Sequence, residues 1–394
     1  MNHPVIYMDH AATTHIGKPA LDAMLPVLEN DYGNPSSLHA LGQRAAHLLS
    51  SARTEVAGCL GAFSDEIYFT SGGTESDNWA LREIARMGAE SGKKHMISTA
   101  FEHHAILHTL RRLKEEGFEV TLLDVHEDGL VRPEELEAAI RPDTCLVSVM
   151  YANNEIGTIQ PIGELGAVCK QHGVLFHTDA VQAAGHLPIN VKEQNIDLLS
   201  LSGHKFHGPK GIGALYCRRG IRLTGLIEGG AQERGKRAGT ENIPEIVGMA
   251  AALSDACAHM DARNEKTLAL RERLIDGVLS SVPRCRLNGD RTRRLPGNAN
   301  FCFDGIDGEA LLLRLDLEGI CASSGSACTA GSLDPSHVLL ALGLSRETAG
   351  GSLRLTINEE NTEEEVDFLL RRLPVMIASL RKMSPAWKEM NGAK

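Results

Sequence analysis

Between residues 60 and 220, short β-rich runs alternate with stretches of helical periodicity, and this alternation constrains the fold more than any other feature of the chain. The runs fall at 66–70, 95–99, 119–123, 144–151, 174–178, 198–202 and 213–217, with helical patterns at 75–87, 105–116 and 162–171 between them. Two parallel strands can be joined only by a crossover of a dozen or more residues, usually a helix. The pattern therefore predicts successive βαβ units in a mainly parallel, doubly wound α/β sheet covered on both faces. A mixed α+β arrangement would cluster its strands away from its helices.

Past residue 248 the texture changes. A long amphipathic stretch runs over 248–282, followed by a strand at 298–303, a helix at 308–317, a Ser/Gly-rich loop, a helix at 336–342 and a strand at 352–357. A terminal helix starts at Thr362, where Thr362 and Glu365 make a capping-box pattern. A chain of 394 residues suits two domains. We expect a large α/β domain over 15–255 and a smaller α+β domain formed by 1–14 and 256–394, which carries the small-residue loop at about 321–333.

The net charge of -11 and the lack of a basic run disfavour nucleic acid as a direct ligand. The amino terminus has no secretory pattern and no segment approaches a membrane-spanning apolar length, so the expectation is a cytoplasmic protein without membrane attachment. Nine cysteines without a C-x-x-C pair disfavour a disulfide framework or a cysteine-based zinc site, and no intrinsic metal is expected. Cys145 and Cys217 sit in apolar runs and read as core residues. Cys328 differs, because it lies among Ser, Gly, Ala and Thr in ASSGSACTAGS, the composition of a loop.

The polar clusters of the first domain share a position: nearly all fall just after a strand. In open α/β sheets that end forms the ligand crevice. TSGGTES, 70–76, offers glycines and hydroxyls where a strand gives way to a helix, as an anion cradle does, although many such turns only cap helices. His103 in FEHHAI can stack on a ring or move a proton; a capping or surface histidine is the competing reading. Asp179 in HTDAVQ ends an apolar strand, where it needs a cation unless it is an N-cap. Asn154 in YANNEIG and Gln182, one helical turn from Asp179, can bond a phenolate oxygen or a substrate, or serve as turn residues. Lys205 in SGHKFHGPKG follows the strand at 198–202 and is the candidate Schiff-base lysine, against the commoner reading of Lys205 and Lys210 as solvated. A phosphate cradle, an acid for a ring nitrogen, a stacking imidazole and an amine for an aldehyde together match the requirements of pyridoxal 5'-phosphate.

SGHKFHGPKG and HTDAVQ, together with YMDHAATT, GNPSSLH, SGGTES, NNEIG, RAGTEN and SSGSACT, resemble in content and order the cysteine desulfurases of the NifS/IscS type, within the class V aminotransferase group of pyridoxal phosphate enzymes. The resemblance runs from about Tyr7 to the terminal helix. It implies the fold type I architecture of such transferases and a homodimer with the cofactor near the subunit interface. By the same resemblance Lys205 binds the cofactor, Asp179 pairs with its ring nitrogen, Gln182 meets the ring oxygen and His103 stacks on the ring. Gly73, Thr74, Ser202 and His204 hold the phosphate, with Thr240 of RAGTEN from the other subunit. Asn154 lies by cofactor and substrate, Arg354 clamps the substrate carboxylate and Asn34 assists it.

The family's nucleophile maps onto Cys328. By the same resemblance L-cysteine would free Lys205 to take the α-proton, and the Cys328 thiolate would attack the substrate sulfur, leaving a persulfide and L-alanine. The long loop is like that of the members that pass sulfur to iron-sulfur scaffold proteins, which also raises transient ligation of iron by Cys328 through its persulfide. Departures are small: Ala238 stands where many relatives carry serine, and His10 where asparagine is frequent. Selenocysteine lysis or transamination on the same fold, and a non-catalytic role in a sulfur-transfer assembly, are the alternatives. Transamination makes little use of a loop cysteine, and a non-catalytic partner has no need of Lys205, Asp179 and Cys328 together.

Overall fold

The computed structural model describes residues 5–324 and 334–390, apart from the side chain of Ala386. Its first strand, β1 (Ile6–Tyr7), stands apart from a large sheet built by β2 (Ile67–Thr70), β3 (His95–Thr99), β4 (Glu119–Leu123), β5 (Thr144–Ser148), β6 (Leu175–Asp179), β7 (Leu198–Ser202) and β8 (Gly213–Cys217). The strand order is β2-β8-β7-β6-β5-β3-β4. All neighbours are parallel except β8, which runs antiparallel to both β7 and β2. The link from β7 to β8 carries only the 3-10 turn Gly203–Lys205, too little chain for a crossover helix, so the strand must fold back.

The strands in the middle of the sheet are buried on both faces, which explains why they read as apolar runs. Successive side chains go to opposite layers: Ile97, Val147 and Leu199 enter one core, Met96, Leu146 and Leu198 the other. The second layer is closed by the helix Gly73–Glu90, through Trp79 and Ile84, and by His104–Glu115, through Ile106 and Leu110. The helices Lys18–Glu29 and Ala40–Leu60, for which the sequence reading gave no element, pack against Ile243–Ala258.

The long amphipathic stretch is two helices, Ile243–Ala258 and Met260–Ser281, divided at His259. The first sends Ile246, Met249 and Leu253 into the large core; the second sends Leu270, Leu274 and Val278 into a separate one. That separate core surrounds a small antiparallel sheet in which β10 (Asn298–Phe303) lies between β9 (Cys285–Leu287) and β12 (Ser352–Thr356). β1 pairs in parallel with β11 (Ile320–Cys321), and Ile6 and Met8 join the same core. The segment 338–349 returns to the large core through Val338, Leu339 and Leu342. At β5 the ladder stops at Ser148, short of the anticipated 151, yet hydrogen bonds to β6 continue: Val149 N–H donates to His177 O at 3.1 Å and Tyr151 N–H to Asp179 O at 2.8 Å.

Candidate active site

The carboxyl ends of β2, β3, β5, β6 and β7 open on one cleft of about 610 Å³, lined also by Ala11, Ala12, Thr13 and Arg354. At the end of β2, Gly72 has φ +150°, a conformation that favours glycine, and Gly73 begins the helix Gly73–Glu90. A Cβ on Gly73 would lie 2.5 Å from Val181 Cγ2, so the missing side chain is what lets the helix start lie against the β6 end. One strand over, a Cβ on Gly213 would lie 2.6 Å from Gly72 Cα, so glycines on both sides hold this corner tight. The helix's first amides have no carbonyl one turn back, and with Thr74 and Ser202 on the cleft wall they form a seat for an anion.

Lys205 lies at the end of the β7 turn, and its Nζ donates to Ala11 O at 2.8 Å and Ala12 O at 2.7 Å. Those carbonyls are fixed in turn. Gln182 Nε2 donates to Ala11 O at 2.9 Å, Thr356 Oγ1 accepts from Ala11 N–H at 2.9 Å, and Thr14 N–H donates to His204 O at 3.0 Å. His204 Nδ1 meets Thr13 Oγ1 at 3.1 Å, and burial with the nearby Lys205 brings its imidazole down to about 4. The lysine is thus held in the cleft by main-chain acceptors of the amino-terminal segment.

Behind the lysine lies a set of buried acids. Asp179 takes the Val181 N–H at 2.9 Å, and burial pushes its carboxyl up to about 6. Among the described residues no cation forms an ion pair with it. Asp77 is raised well above the ordinary value by burial and by Asp179. Between the strands, His177 contacts Ser148 Oγ at 2.9 Å and Ser200 Oγ at 3.1 Å, and burial lowers it to about 3. Glu102 accepts from Thr99 Oγ1 at 2.7 Å and from Met150 N–H at 2.9 Å through one oxygen, while burial pushes it up to about 8. A carboxylate in such surroundings is costly until a cation reaches it.

His103 is a helix cap that also lines the cleft. Its Nδ1 accepts the Ala105 N–H at 3.1 Å at the start of His104–Glu115, which leaves the ring proton on Nε2. Burial, then Lys205, lowers its pKa to about 4, so the ring is neutral at pH 7. From the small sheet comes Arg354, only 3% exposed. It donates through Nη1 to Asn154 O at 3.1 Å and through Nη2 to Asp9 Oδ1 at 2.9 Å, and its buried Nε has no partner among the described residues. Its backbone N–H donates to Ser323 O, five positions before Cys328 in the sequence. Cys328 itself lies outside the described residues.

Ten of the anticipated site residues therefore line one cleft: Gly73, Thr74, His103, Asn154, Asp179, Gln182, Ser202, His204, Lys205 and Arg354. Asn34 and Thr240 are exposed and do not line it within this chain; the Asn34 side chain accepts from Ser36 N–H in a local turn. The sequence reading missed the Ala11 and Ala12 carbonyls, Asp77 and Lys210 on the cleft wall. Main-chain acceptors carry no residue signature, whereas Asp77 directly follows the SGGTES motif and its position one turn into the helix was a usable signal.

The residues present fit pyridoxal phosphate: a glycine-floored helix start for its phosphate, an amine beside it and a buried acid that no described cation pairs with. A mainly parallel sheet with these groups at one end defines a pyridoxal-phosphate-dependent enzyme of fold type I. Residues 6–369 match the family model described as aminotransferase class-V. The chain is 53% identical over 386 residues to a protein named cysteine desulfurase IscS from Clostridium botulinum, covering 98% of this chain and 97% of that one. A solved structure of a NifS-like protein superposes with TM-score 0.90 at 38% identity, covering 96% of this chain and 100% of the other. Another, of SspA in complex with cysteine, gives TM-score 0.79 at 38% identity over 89% of this chain and 98% of its own. The chain belongs to the class-V aminotransferase family, and within it to the cysteine desulfurases of the NifS/IscS type.

Proposed function

We propose that this chain removes sulfur from L-cysteine, giving L-alanine and a persulfide on Cys328. The observation that carries this reading is the meeting of Lys205, Asp179 and the glycine-floored helix start in a cleft that is also lined by the buried Arg354. Gly73, Thr74, Ser202 and His204 would hold the cofactor phosphate, with Thr240 reaching in from a second subunit. Asp179 would face the ring nitrogen, Gln182 the ring oxygen, His103 the ring face and Lys205 the aldehyde. When bound, pyridoxal phosphate supplies an electron sink for the pair left by a departing α-proton.

The protein's own groups then divide the work. Arg354, with Asn154 and Asn34, takes the substrate carboxylate; the planar guanidinium can swing a bidentate face from Asp9 to that carboxylate. Lys205, detached from its carbonyl acceptors, abstracts the α-proton at Nζ. His103, neutral and protonated at Nε2, serves as a donor to the reacting groups. Cys328 attacks the substrate sulfur as its thiolate: an S–S bond forms as the C–S bond breaks, the C–S electron pair passes to the substrate's β-carbon, which takes up a proton to become the methyl group of alanine, and the sulfur stays on Cys328 as a persulfide. The complex of the relative SspA with cysteine supports the choice of substrate.

We extend the reading to a cytoplasmic homodimer that hands its persulfide sulfur to an iron-sulfur scaffold or another acceptor protein. Exposed Leu25, Leu28, Tyr32 and Leu38, around the helix Lys18–Glu29, supply an apolar face for a second subunit. Among the described residues no helix is long and apolar enough to cross a membrane. The test is Cys328→Ala in the cofactor-loaded protein. Alanine formation from cysteine should cease while cysteine still shifts the cofactor absorption; undiminished turnover would remove Cys328 from the reaction.

A further inference from the structure

On the far side of the Lys205 turn, three side chains from distant parts of the chain bring one donor atom each to a common point. They are His15, His207 and Glu360, and their donor atoms all lie within 4.8 Å of one another. From this arrangement we infer a binding site for a zinc-class divalent cation, separate from the proposed chemistry and made without a cysteine.

The ring orientations favour coordination. His15 Nδ1 faces Ile16 O at 2.9 Å, and His207 Nδ1 faces His15 O at 3.2 Å. A carbonyl only accepts, so both Nδ1 atoms carry hydrogen and point away from the common point, leaving each Nε2 on the side of the proposed ion. This is the second-sphere pattern that orients histidines on a metal. His15 Nε2–H donates to Glu360, whose two oxygens are each 2.9 Å away, and a cation would take the place of that proton between the two side chains. His207 Nε2 accepts from Asn358 Nδ2 at 3.1 Å, a contact that a cation would replace by a turn of the amide.

The backbone gives an independent sign. His207 has φ +63°, a left-handed conformation uncommon for a side-chain-bearing residue. It is held there by Thr14 Oγ1, which accepts the His207 N–H at 2.9 Å, and by Gly17 N–H, which donates to His207 O at 2.8 Å. Local strain fixed by surrounding bonds is characteristic of functional positions, and here it sets the imidazole beside His15, with ring centroids 4.9 Å apart. Two imidazoles and one carboxylate, with a fourth position for water, suit zinc; magnesium and calcium prefer oxygen ligands throughout.

An ion at this point would tie together the amino-terminal segment whose carbonyls hold Lys205, the Lys205 turn itself and the loop that follows the Arg354 strand. The test uses full-length, cofactor-loaded protein, stripped with a chelator, dialysed against Zn2+ and assayed for metal per chain, beside His15→Ala and Glu360→Gln. The His15 side chain is 59% exposed, so its removal leaves the fold intact. Wild type should retain one Zn2+ per chain more than either variant, and X-ray absorption should show nitrogen and oxygen neighbours at about 2.0–2.1 Å. Equal metal content in all three proteins, or a shell dominated by sulfur at about 2.3 Å, would overturn the site. So would retention of Mg2+ in place of Zn2+ under the same treatment.

Discussion

Asp179 and Arg354 face one cleft from two different sheets, and their surroundings are opposite in kind. Asp179 ends a strand in the middle of the large sheet, backed by Asp77 and Glu102, without an ion pair among the described residues, and its carboxyl is pushed up to about 6 by burial. Arg354 stands in the small sheet, already bonded to Asp9 and the Asn154 carbonyl, with its Nε left over. On the acid wall Asp179 has Lys205 nearby but no ion pair among the described residues, and the arginine wall has a guanidinium nitrogen without an acceptor among them. A cofactor with a cationic ring and a substrate with a carboxylate would complete one wall each, which is why the two belong to different steps of binding.

Breaking the acid wall should have the largest effect. Asp179→Asn keeps the shape and removes the charge, and we expect kcat for alanine formation to fall roughly a hundred- to a thousandfold with the cofactor still attached. Retained kcat would show that the wall needs no charge. On the opposite wall, Arg354→Ala should cost roughly ten- to a hundredfold in kcat/KM for cysteine, mostly through KM, and Arg354→Lys should recover little of it because the fork is lost. A change confined to kcat would place the arginine elsewhere in the reaction.

Glu102 tests whether the acid wall carries a stability cost. Burial raises this carboxyl from 4.5 to about 8, so the folded protein keeps a proton that the unfolded chain releases between those values. Stability of the cofactor-free protein should therefore fall as pH rises from about 4.5 towards 8, by an amount on the order of a few kcal/mol, and stay low above 8. Glu102→Gln should flatten that fall. Parallel profiles of Tm against pH for the two proteins would contradict it. The smallest effect is expected at the cradle, where Gly73→Ala sets a methyl 2.5 Å from Val181 Cγ2 and should weaken cofactor binding about tenfold, read by titration of stripped protein.

How much of this was legible in the sequence depends on the range of the interaction. The strands of the large sheet were readable because burial on both faces imposes a local apolar run. The motifs at their ends were readable because turns and helix starts demand particular residues. Helices Lys18–Glu29 and Ala40–Leu60 escaped notice: the first keeps Leu21, Leu25 and Leu28 exposed beside buried Ala20, Met24 and Val27, which blurs its periodicity. The direction of β8 was not legible either, since it follows from how little chain links it to β7. Arg354 gave no local signal at all and was reached only through the resemblance.

By itself, the sequence determined the alternating elements, the glycines at 72 and 73, and the lysine, acid and imidazole at successive strand ends, because each is a response to its immediate neighbours. Only the tertiary structure decided that Ala11 and Ala12 would hold Lys205, that Arg354 would share a cleft with Asp179, and that His15, His207 and Glu360 would meet. The physical reason is that these meetings are made by the packing of one core against another, between residues up to 345 positions apart, and no local pattern records them.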